Sequence, residues 1–405
     1  MNVLITSYYY KPHIGGVENS ITQLSAAFAR KGHQVTILCS DADLTKKKRL
    51  ALNFIQEGGV QGYRFYRFIP FSTLFTVFAP FVDILRATRA IKKLHQQYSF
   101  DLVLTRNHIM GLAADRAGLA TSFFLIPSIV QELDKLSQKS FSNLNFKNTL
   151  LLYFINGLIN PVNQFLQKRY LQKTSTICVF SSNLKQQLIS YMPELTNKTI
   201  IIPPGVDTKA SIIPHSKSRM PFVFLIVGRL IHAKRVDLAI QAMSKLQDQK
   251  CILKVVGEGP VRQALENLSD IFGLKERIIF YDFTEDVASF YQEANCFLMT
   301  SEYETFGQTI IEAMSFGLPV IAFKSDGRNV KTSSAEIIEQ DQNGYFCDFT
   351  SDDLYNTMLL IMQKTDQELM KLAIQNNFKV KAKYSWDRYV DDFLERYNKN
   401  SDAKI

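Results

Sequence analysis

The sequence predicts an α/β protein built from two doubly wound, parallel-sheet domains. Short apolar runs alternate with amphipathic stretches through both halves, and a segment rich in proline and glycine separates them. At 405 residues with 46% hydrophobic content, the chain also exceeds what a single hydrophobic core covers.

The first half opens with an apolar strand over Asn2–Ser7, a loop holding Gly15 and Gly16, an amphipathic helix from Val17 to Arg30, a Gly32 stop and a strand over Gln34–Cys39. That order is a βαβ unit. A helix over Phe81–Tyr98 precedes the strand FDLVLTR; residues 145–172 are helix-rich, and TICVFSS returns to strand. The run IIPPGVDTKASIIPHSKSRMP, with four prolines, reads as linker and domain entry. From Pro221 the strands FVFLIVG, CILKVVG, RIIFYDF, CFLMTS and LPVIAF alternate with helices near Val236–Leu246, Pro260–Phe272, Asp286–Glu293 and Gly307–Phe316. The expected domains are residues 1–200, 201–385 and a terminal helix over 386–405. Ligands of parallel sheets bind beyond the carboxyl ends of the strands, so the cleft between two such domains is the expected pocket.

Composition narrows the function. The longest apolar stretches, from Pro70 and from Leu150, are broken by polar residues and fall short of the roughly 20 residues that span a bilayer. The N-terminus lacks the basic, apolar and small-residue regions of a secretory signal, which predicts a cytoplasmic protein. The five cysteines, Cys39, Cys178, Cys251, Cys296 and Cys347, are odd in number and sit in apolar runs; they read as reduced core residues and imply no metal site. The net charge of +9 is uneven: residues 1–200 carry 23 Lys/Arg against 10 Asp/Glu, while the remainder carries 24 against 28. The first half therefore favours an anionic surface or substrate. No nucleic-acid-binding module accompanies the charge, so no nucleic acid partner is expected.

Three loops carry the chemistry. In SEYETFGQTIIEAMSFGLPVIAFKSDG a strand ends, two carboxylates follow, and a helix begins near Phe306–Gly307. Phe306, Ile310, Ala313 and Met314 share one helical face with Glu312 opposite, away from the core. Backbone N–H groups of Phe306, Gly307, Gln308 and Thr309 form an anion site at the helix start. Eight residues of helix would place Glu312 about 12 Å from Glu304, too far for a glycosidase pair, whose carboxylates lie roughly 5–9.5 Å apart. The two more plausibly hold different parts of one long ligand; solvated helix carboxylates are the plainer alternative. In VGRLIHAKRVD, a strand ends at Gly228 and places Arg229 and Lys234 at the mouth of the sheet, where two cations suit a diphosphate. KPHIGGVENS turns from strand one into helix one through Gly15 and Gly16, without the spacing of a dinucleotide-binding turn.

EYETFGQTIIEAMSFGLPVIA resembles the E-x7-E signature of the retaining glycosyltransferases of family four, which have the GT-B fold of two Rossmann-like domains facing across a cleft. The resemblance implies that Glu304 faces the donor sugar, Glu312 holds the ribose, and the amides of Phe306 and Gly307 meet the donor phosphate. VGRLIHAK resembles the family's G-R-L-x-x-x-K element, which gives Arg229 and Lys234 the leaving diphosphate. The loop with Gly15 and Gly16 resembles the family's glycine-rich loop, with His13 and Glu18 as further contacts. TRNHIMG offers Arg106 and His108 where members carry a sugar-contacting histidine; Arg106 stands at the aligned position and His108 two residues later, where a helix-capping role is the alternative. VVGEGP matches a V-G-x-G-P turn, and IIPPGVD matches I-P-N-G-V-D with Pro204 in place of asparagine.

The resemblance thus implies a retaining hexosyltransferase that takes a nucleotide-diphosphate sugar, UDP- or GDP-linked, to a glycan or lipid-linked acceptor in glycolipid or surface-polysaccharide synthesis. No D-x-D metal motif stands at a matching position, so neither metal nor cofactor is expected. A non-catalytic subunit that binds a sugar nucleotide or stabilises a partner enzyme is the rival reading. The basic run Lys46, Lys47, Lys48 and Arg49 suggests peripheral attachment to an anionic membrane surface. So does the helix over Phe81–Tyr98, with Phe81, Ile84, Ile91, Leu94 and Tyr98 on one side and Arg86, Arg89, Lys92 and Lys93 on another; an ordinary core helix with a solvated basic face is the alternative.

Overall fold

Val3, Leu4 and Ile5 are wholly buried, as are Ile37, Leu38 and Cys39 in the next strand. A run that is apolar on both faces needs a layer on each side, which is how parallel sheets with crossover helices are built. In the computed structural model, which describes residues 1–12, 15–41, 50–55, 58, 60–70, 73–119, 122–129, 157, 159–206, 221–284 and 286–402, the chain divides into two compact units. Unit 1 comprises Met1–Phe180, Leu184–Ile202 and Tyr389–Ile405; unit 2 comprises Ser181–Asn183 and Pro203–Arg388.

Unit 1 holds one sheet of β1 (Asn2–Thr6), β2 (Gln34–Ser40), β3 (Asn53–Ile55), β4 (Gln61–Phe65), β5 (Leu102–Thr105), β6 (Ser122–Leu125), β7 (Thr176–Val179) and β8 (Thr199–Ile201). Their order is β3-β4-β2-β1-β5-β6-β7-β8, and every pairing is parallel except that of the edge strand β3 with β4. The sheet is flanked by α1 (Gly16–Arg30), α2 (Ala79–Tyr98), α3 (His108–Arg116), α4 (Asn160–Lys173) and α5 (Ser182–Tyr191). Ile84, Ile91 and Leu94 of α2 join Met110, Ala113 and Tyr170 in one core. Of the five apolar residues of the Phe81–Tyr98 projection, three are core, Tyr98 Oη bonds Tyr63 Oη at 2.5 Å, and Phe81 alone is exposed, which favours the alternative of a core helix with a solvated basic face for most of its length. The run Lys46–Arg49, residue His13 and residues 130–156 and 207–220 lie outside the described residues.

Unit 2 holds β9 (Phe222–Val227), β10 (Cys251–Val256), β11 (Ile278–Tyr281), β12 (Cys296–Met299), β14 (Val320–Phe323) and β16 (Gly344–Cys347) in the order β11-β10-β9-β12-β14-β16, all parallel. A two-residue ladder pairs β13 (Tyr303–Glu304) with β15 (Lys331–Thr332). Between them run α6 (Val236–Lys245), α7 (Arg262–Ile271), α8 (Ala288–Glu293), α9 (Gln308–Ser315), α10 (Ser334–Ile337), α11 (Ser351–Gln363) and α12 (Asp366–Lys383), with α13 (Trp386–Asp402) last. The core is separate from that of unit 1 and gathers Phe224, Ile240, Leu253, Leu298, Ile321 and Met358. Most of α13 belongs to unit 1: the Phe393 ring meets Phe123 edge-on at 4.8 Å, and Lys31 pairs with Asp391 at 2.7 Å.

Both sheets reverse their winding at one place. In unit 1 the chain proceeds outward from β1 on one side and returns to its other side with β5; in unit 2 the same happens at β9 and β12. Such reversals open a crevice beyond the strand ends, because the flanking connections depart in opposite directions. All five cysteines are buried and free.

Candidate active site

The loops singled out from the sequence all leave the sheets at these two reversals. In unit 2, β9 ends at Val227, and Gly228, Arg229 and Leu230 turn away beside the end of β10. This turn is tight. A β-carbon on Gly257 would lie 2.1 Å from the Gly228 carbonyl oxygen, and one on Gly259 would lie 2.2 Å from that of Leu230. The V-G-x-G-P turn is therefore a seat for the preceding loop, and its glycines permit the approach.

The loop after β9 is also fastened to the loop after β12. Thr300 Oγ1 donates to the Lys234 carbonyl at 2.6 Å, and Glu302 N donates to that of Ala233 at 2.8 Å. These bonds bring Lys234 Nζ to 2.5 Å from Glu304 Oε2, with the side chains 23% and 22% exposed. Gly228, Arg229, Lys234, Thr300 and Ser301 line a small recess at the strand ends. Arg229 is exposed and has no carboxylate partner among the described residues.

Glu304 lies in β13, not in a helix, so the helical spacing between Glu304 and Glu312 is corrected: only the residues from Gln308 onward are helical. The Thr305 carbonyl between strand and helix accepts from Ser181 Oγ at 2.7 Å and Ser333 Oγ at 2.9 Å. Phe306 is buried, its ring edge-on to Tyr384 at 5.8 Å. Gly307 caps α9 with φ 100°, a left-handed conformation that a side chain resists. Among the described residues no acceptor meets the N–H groups of Gly307, Gln308 or Thr309, so the helix start offers them to an anion. The other end is anchored, since Asn377 and Asn376 side chains donate to the carbonyls of Ser315 and Leu318 at 2.5 and 2.8 Å.

Glu312 lies off the buried face of α9, formed by Ile310, Ala313 and Met314, and is partly exposed. Its carboxylate is nonetheless enclosed, and accepts from the buried Tyr291 Oη at 3.0 Å. Burial pushes its pKa up to about 7, against the opposing effect of the Tyr291 bond. The plainer alternative, a solvated helix carboxylate, therefore does not describe Glu312. Tyr291 was not legible as a site residue, because a tyrosine on a short amphipathic helix reads as packing.

In unit 1, Gly15 and Gly16 open α1 beside the end of β1. The Glu18 carboxylate folds back over Gly15, 2.6 Å from where a β-carbon would stand, whereas Gly16 faces open space. At the end of β5, Arg106 and His108 are both buried. Arg106 Nη2 donates to Ser20 Oγ at 3.0 Å, and its guanidinium lies 5.1 Å from the Phe180 ring centroid. His108 is the first residue of α3, while Asn107 caps that helix through its side chain, so capping is not the histidine's task. Burial holds the His108 pKa down to about 4, so the ring is neutral near pH 7, and Nε2 has no partner among the described residues.

Unit 2 thus joins Gly228, Arg229, Lys234, Glu304, Phe306, Gly307, Gln308, Thr309 and Glu312 around one sheet reversal, and unit 1 gathers Gly15, Gly16 and His108 around the other. Among the described residues no group of three or more His, Cys, Asp or Glu could hold a metal ion.

Comparison with known proteins bears on the family and the fold. A profile of Glycosyltransferase Family 4 matches residues 14–210 and one of Glycosyl transferases group 1 matches residues 207–380. An uncharacterized glycosyltransferase of Haemophilus influenzae is 25% identical over 215 residues, 51% of this chain and 57% of the relative. The matches span between 51% and 62% of the lengths of this and two other curated relatives. Among solved structures, sucrose-phosphate synthase from Thermosynechococcus elongatus superimposes with a TM-score of 0.76 at 19% identity, covering 99% of each chain. Anabaena Alr3699/HepE in complex with UDP-glucose gives 0.69 at 16% identity, over 98% of this chain and 100% of that one; at such identities the likeness is one of fold. The chain belongs to the family-four, group 1 glycosyltransferases and has their GT-B fold.

Proposed function

We propose that the protein is a retaining, metal-independent glycosyltransferase that moves a hexose-type sugar from a nucleotide-diphosphate donor to a membrane-associated glycolipid or surface-polysaccharide acceptor. The observation that carries the reading is the meeting, at the β9 and β12 strand ends, of two cations, a carboxylate and the open N–H groups of α9. Charge grows on the diphosphate as the glycosyl bond breaks. Arg229, Lys234 and the start of α9 surround the place where it would grow, and preorganised groups of this kind stabilise it without reorganising. They supply what a divalent ion would otherwise supply.

Glu304, one loop away, accepts hydroxyl groups of the donor sugar, and Glu312 accepts those of the ribose. Gly16 leaves room for the donor in unit 1, and neutral His108 donates or accepts a hydrogen bond without adding charge. In the transfer, the bond from the anomeric carbon to the diphosphate breaks as the acceptor oxygen bonds on the same face, and the acceptor proton passes to the departing phosphate oxygen. The UDP-glucose complex of the Anabaena neighbour supports a uridine donor, with GDP-sugars as the alternative.

The test is release of nucleoside diphosphate from a panel of UDP- and GDP-sugars, with and without EDTA, for wild type and Arg229→Ala. We expect one donor to be turned over in EDTA and the variant to lose about 10²-fold in kcat. Strict dependence on a divalent ion would overturn the metal-free mechanism.

A further inference from the structure

Helix α2 buries Ile84, Ala87, Ile91 and Leu94 in the core of unit 1, but its outer stripe changes character along its length. Phe78, at the N-cap, followed by Phe81 and Leu85, are 56%, 43% and 42% exposed. Arg89, Lys92 and Lys93 continue the stripe and are exposed as well. A solvated helix face carries polar residues throughout; here successive turns hold bulky apolar groups until cations replace them.

The neighbouring segments enlarge the apolar end. Phe75 lies 6.1 Å from Phe78, ring to ring. Arg86 Nη1 donates to the carbonyls of Tyr66 and Arg67 at 3.1 and 3.0 Å, which ties the exit of β4 to α2. Exposed Tyr66 and Ile69 are carried by that segment. Phe65, Tyr66, Arg86 and Arg89 line an open, shallow recess with two guanidinium groups beside the apolar cluster.

We propose that this surface docks unit 1 on an anionic phospholipid leaflet. Phe78, Phe81 and Leu85 enter the boundary of the acyl chains, and Arg86 and Arg89 hold phosphate at the level of the headgroups. Leu85 to Arg89 rises about 6 Å along the helix axis, so with α2 entering the interface start-first, Phe78, Phe81 and Leu85 lie deeper than the cations that end the stripe. The excess positive charge of residues 1–200 favours an anionic partner. The proposal rests on the reading of the acceptor as membrane-associated, but binding is measured without turnover. Its failure would leave sugar transfer to a soluble acceptor intact.

The experiment is sedimentation of the full chain with phosphatidylcholine vesicles, with and without phosphatidylglycerol, at low and high salt. Wild type should bind the anionic vesicles and weaken as salt rises. Phe78→Ser/Phe81→Ser should lower the partition coefficient about tenfold or more at either salt, and Arg89→Glu should lower it chiefly at low salt. Phe81→Trp supplies a second readout, because the only native tryptophan, Trp386, is buried: its emission should shift to the blue with anionic vesicles and be quenched by lipids brominated on the acyl chain. Binding to neither vesicle, binding indifferent to phosphatidylglycerol, or a double variant that binds as wild type would each overturn the proposal. A dimer in solution that depends on Phe78 and Phe81, without vesicle binding, would assign the face to a second copy of the chain.

Discussion

Glu312 combines a raised pKa with a proposed binding role, and the two make opposite demands. Below about pH 4.5 its carboxyl is protonated whether the chain is folded or not; between there and about 7 the unfolded chain gives up the proton while the fold retains it. Its contribution to stability is therefore complete below about 4.5 and lost as pH rises through about 7, on the order of 3 kcal/mol. Glu312→Gln should remove that loss, seen as a flatter dependence of denaturant stability on pH, while an unchanged slope would place the ionisation elsewhere. Ribose hydroxyls favour the ionised carboxylate, so nucleotide affinity should strengthen as pH rises through about 7 in wild type but not in the variant. Glu304 makes the contrary case. Its pair with Lys234 is partly exposed, and such pairs contribute only about 0–1 kcal/mol. Glu304→Gln should therefore keep the melting temperature within a few degrees yet lose about 10²-fold or more in kcat; wild-type turnover would remove Glu304 from the chemistry. Glu304, Glu312, Arg229 and Lys234 stood out in the sequence through the motifs they share with the family, since charge and spacing alone read equally well as solvated surface. Tyr291, Ser181 and Ser333 did not, since their effect depends on neighbours distant in the chain.

Among the elements, the central strands and the helices between them were legible because apolar runs and 3.6-residue periodicity repeat over several turns. β13 and β15 have two residues each, too few to show any period, and β3 joins its sheet as an exposed antiparallel edge. For the helix over residues 79–98 the projection left a core stripe and a lipid-facing stripe open together, because both have the same period; only burial separates Ile84 from Phe81. At the start of α9, Gly307 decides both conformation and access. A β-carbon there would meet Ile310 Cδ1 at 2.9 Å as well as adopting a left-handed φ. Gly307→Ala should destabilise the fold by about 1–2 kcal/mol and weaken nucleoside diphosphate binding. A variant that binds and melts as wild type would show that the turn relaxes without cost.

Across the whole molecule, each unit has its own core and its own sheet reversal, but the charges proposed to hold the diphosphate all come from unit 2. That division predicts where a nucleotide acts. Ligand binding stabilises the segments it touches and any element that must open to release it, by about 2.7 kcal/mol at a concentration of 100 times Kd. Amide exchange should consequently slow over residues 228–234 and 301–312 when UDP or GDP is added, whichever base the site accepts. Protection should spread into α9 because its carboxyl end is tied to α12 through Asn376 and Asn377. The strands β1, β2 and β5 should exchange as before, since nothing in their core meets the nucleotide in this reading. Lys234→Ala should abolish the slowing without altering exchange in unit 1. Protection that appears in unit 1 and leaves the loops after β9 and β12 unchanged would move the nucleotide to the other sheet, and with it the roles given to Arg229, Lys234 and Glu312.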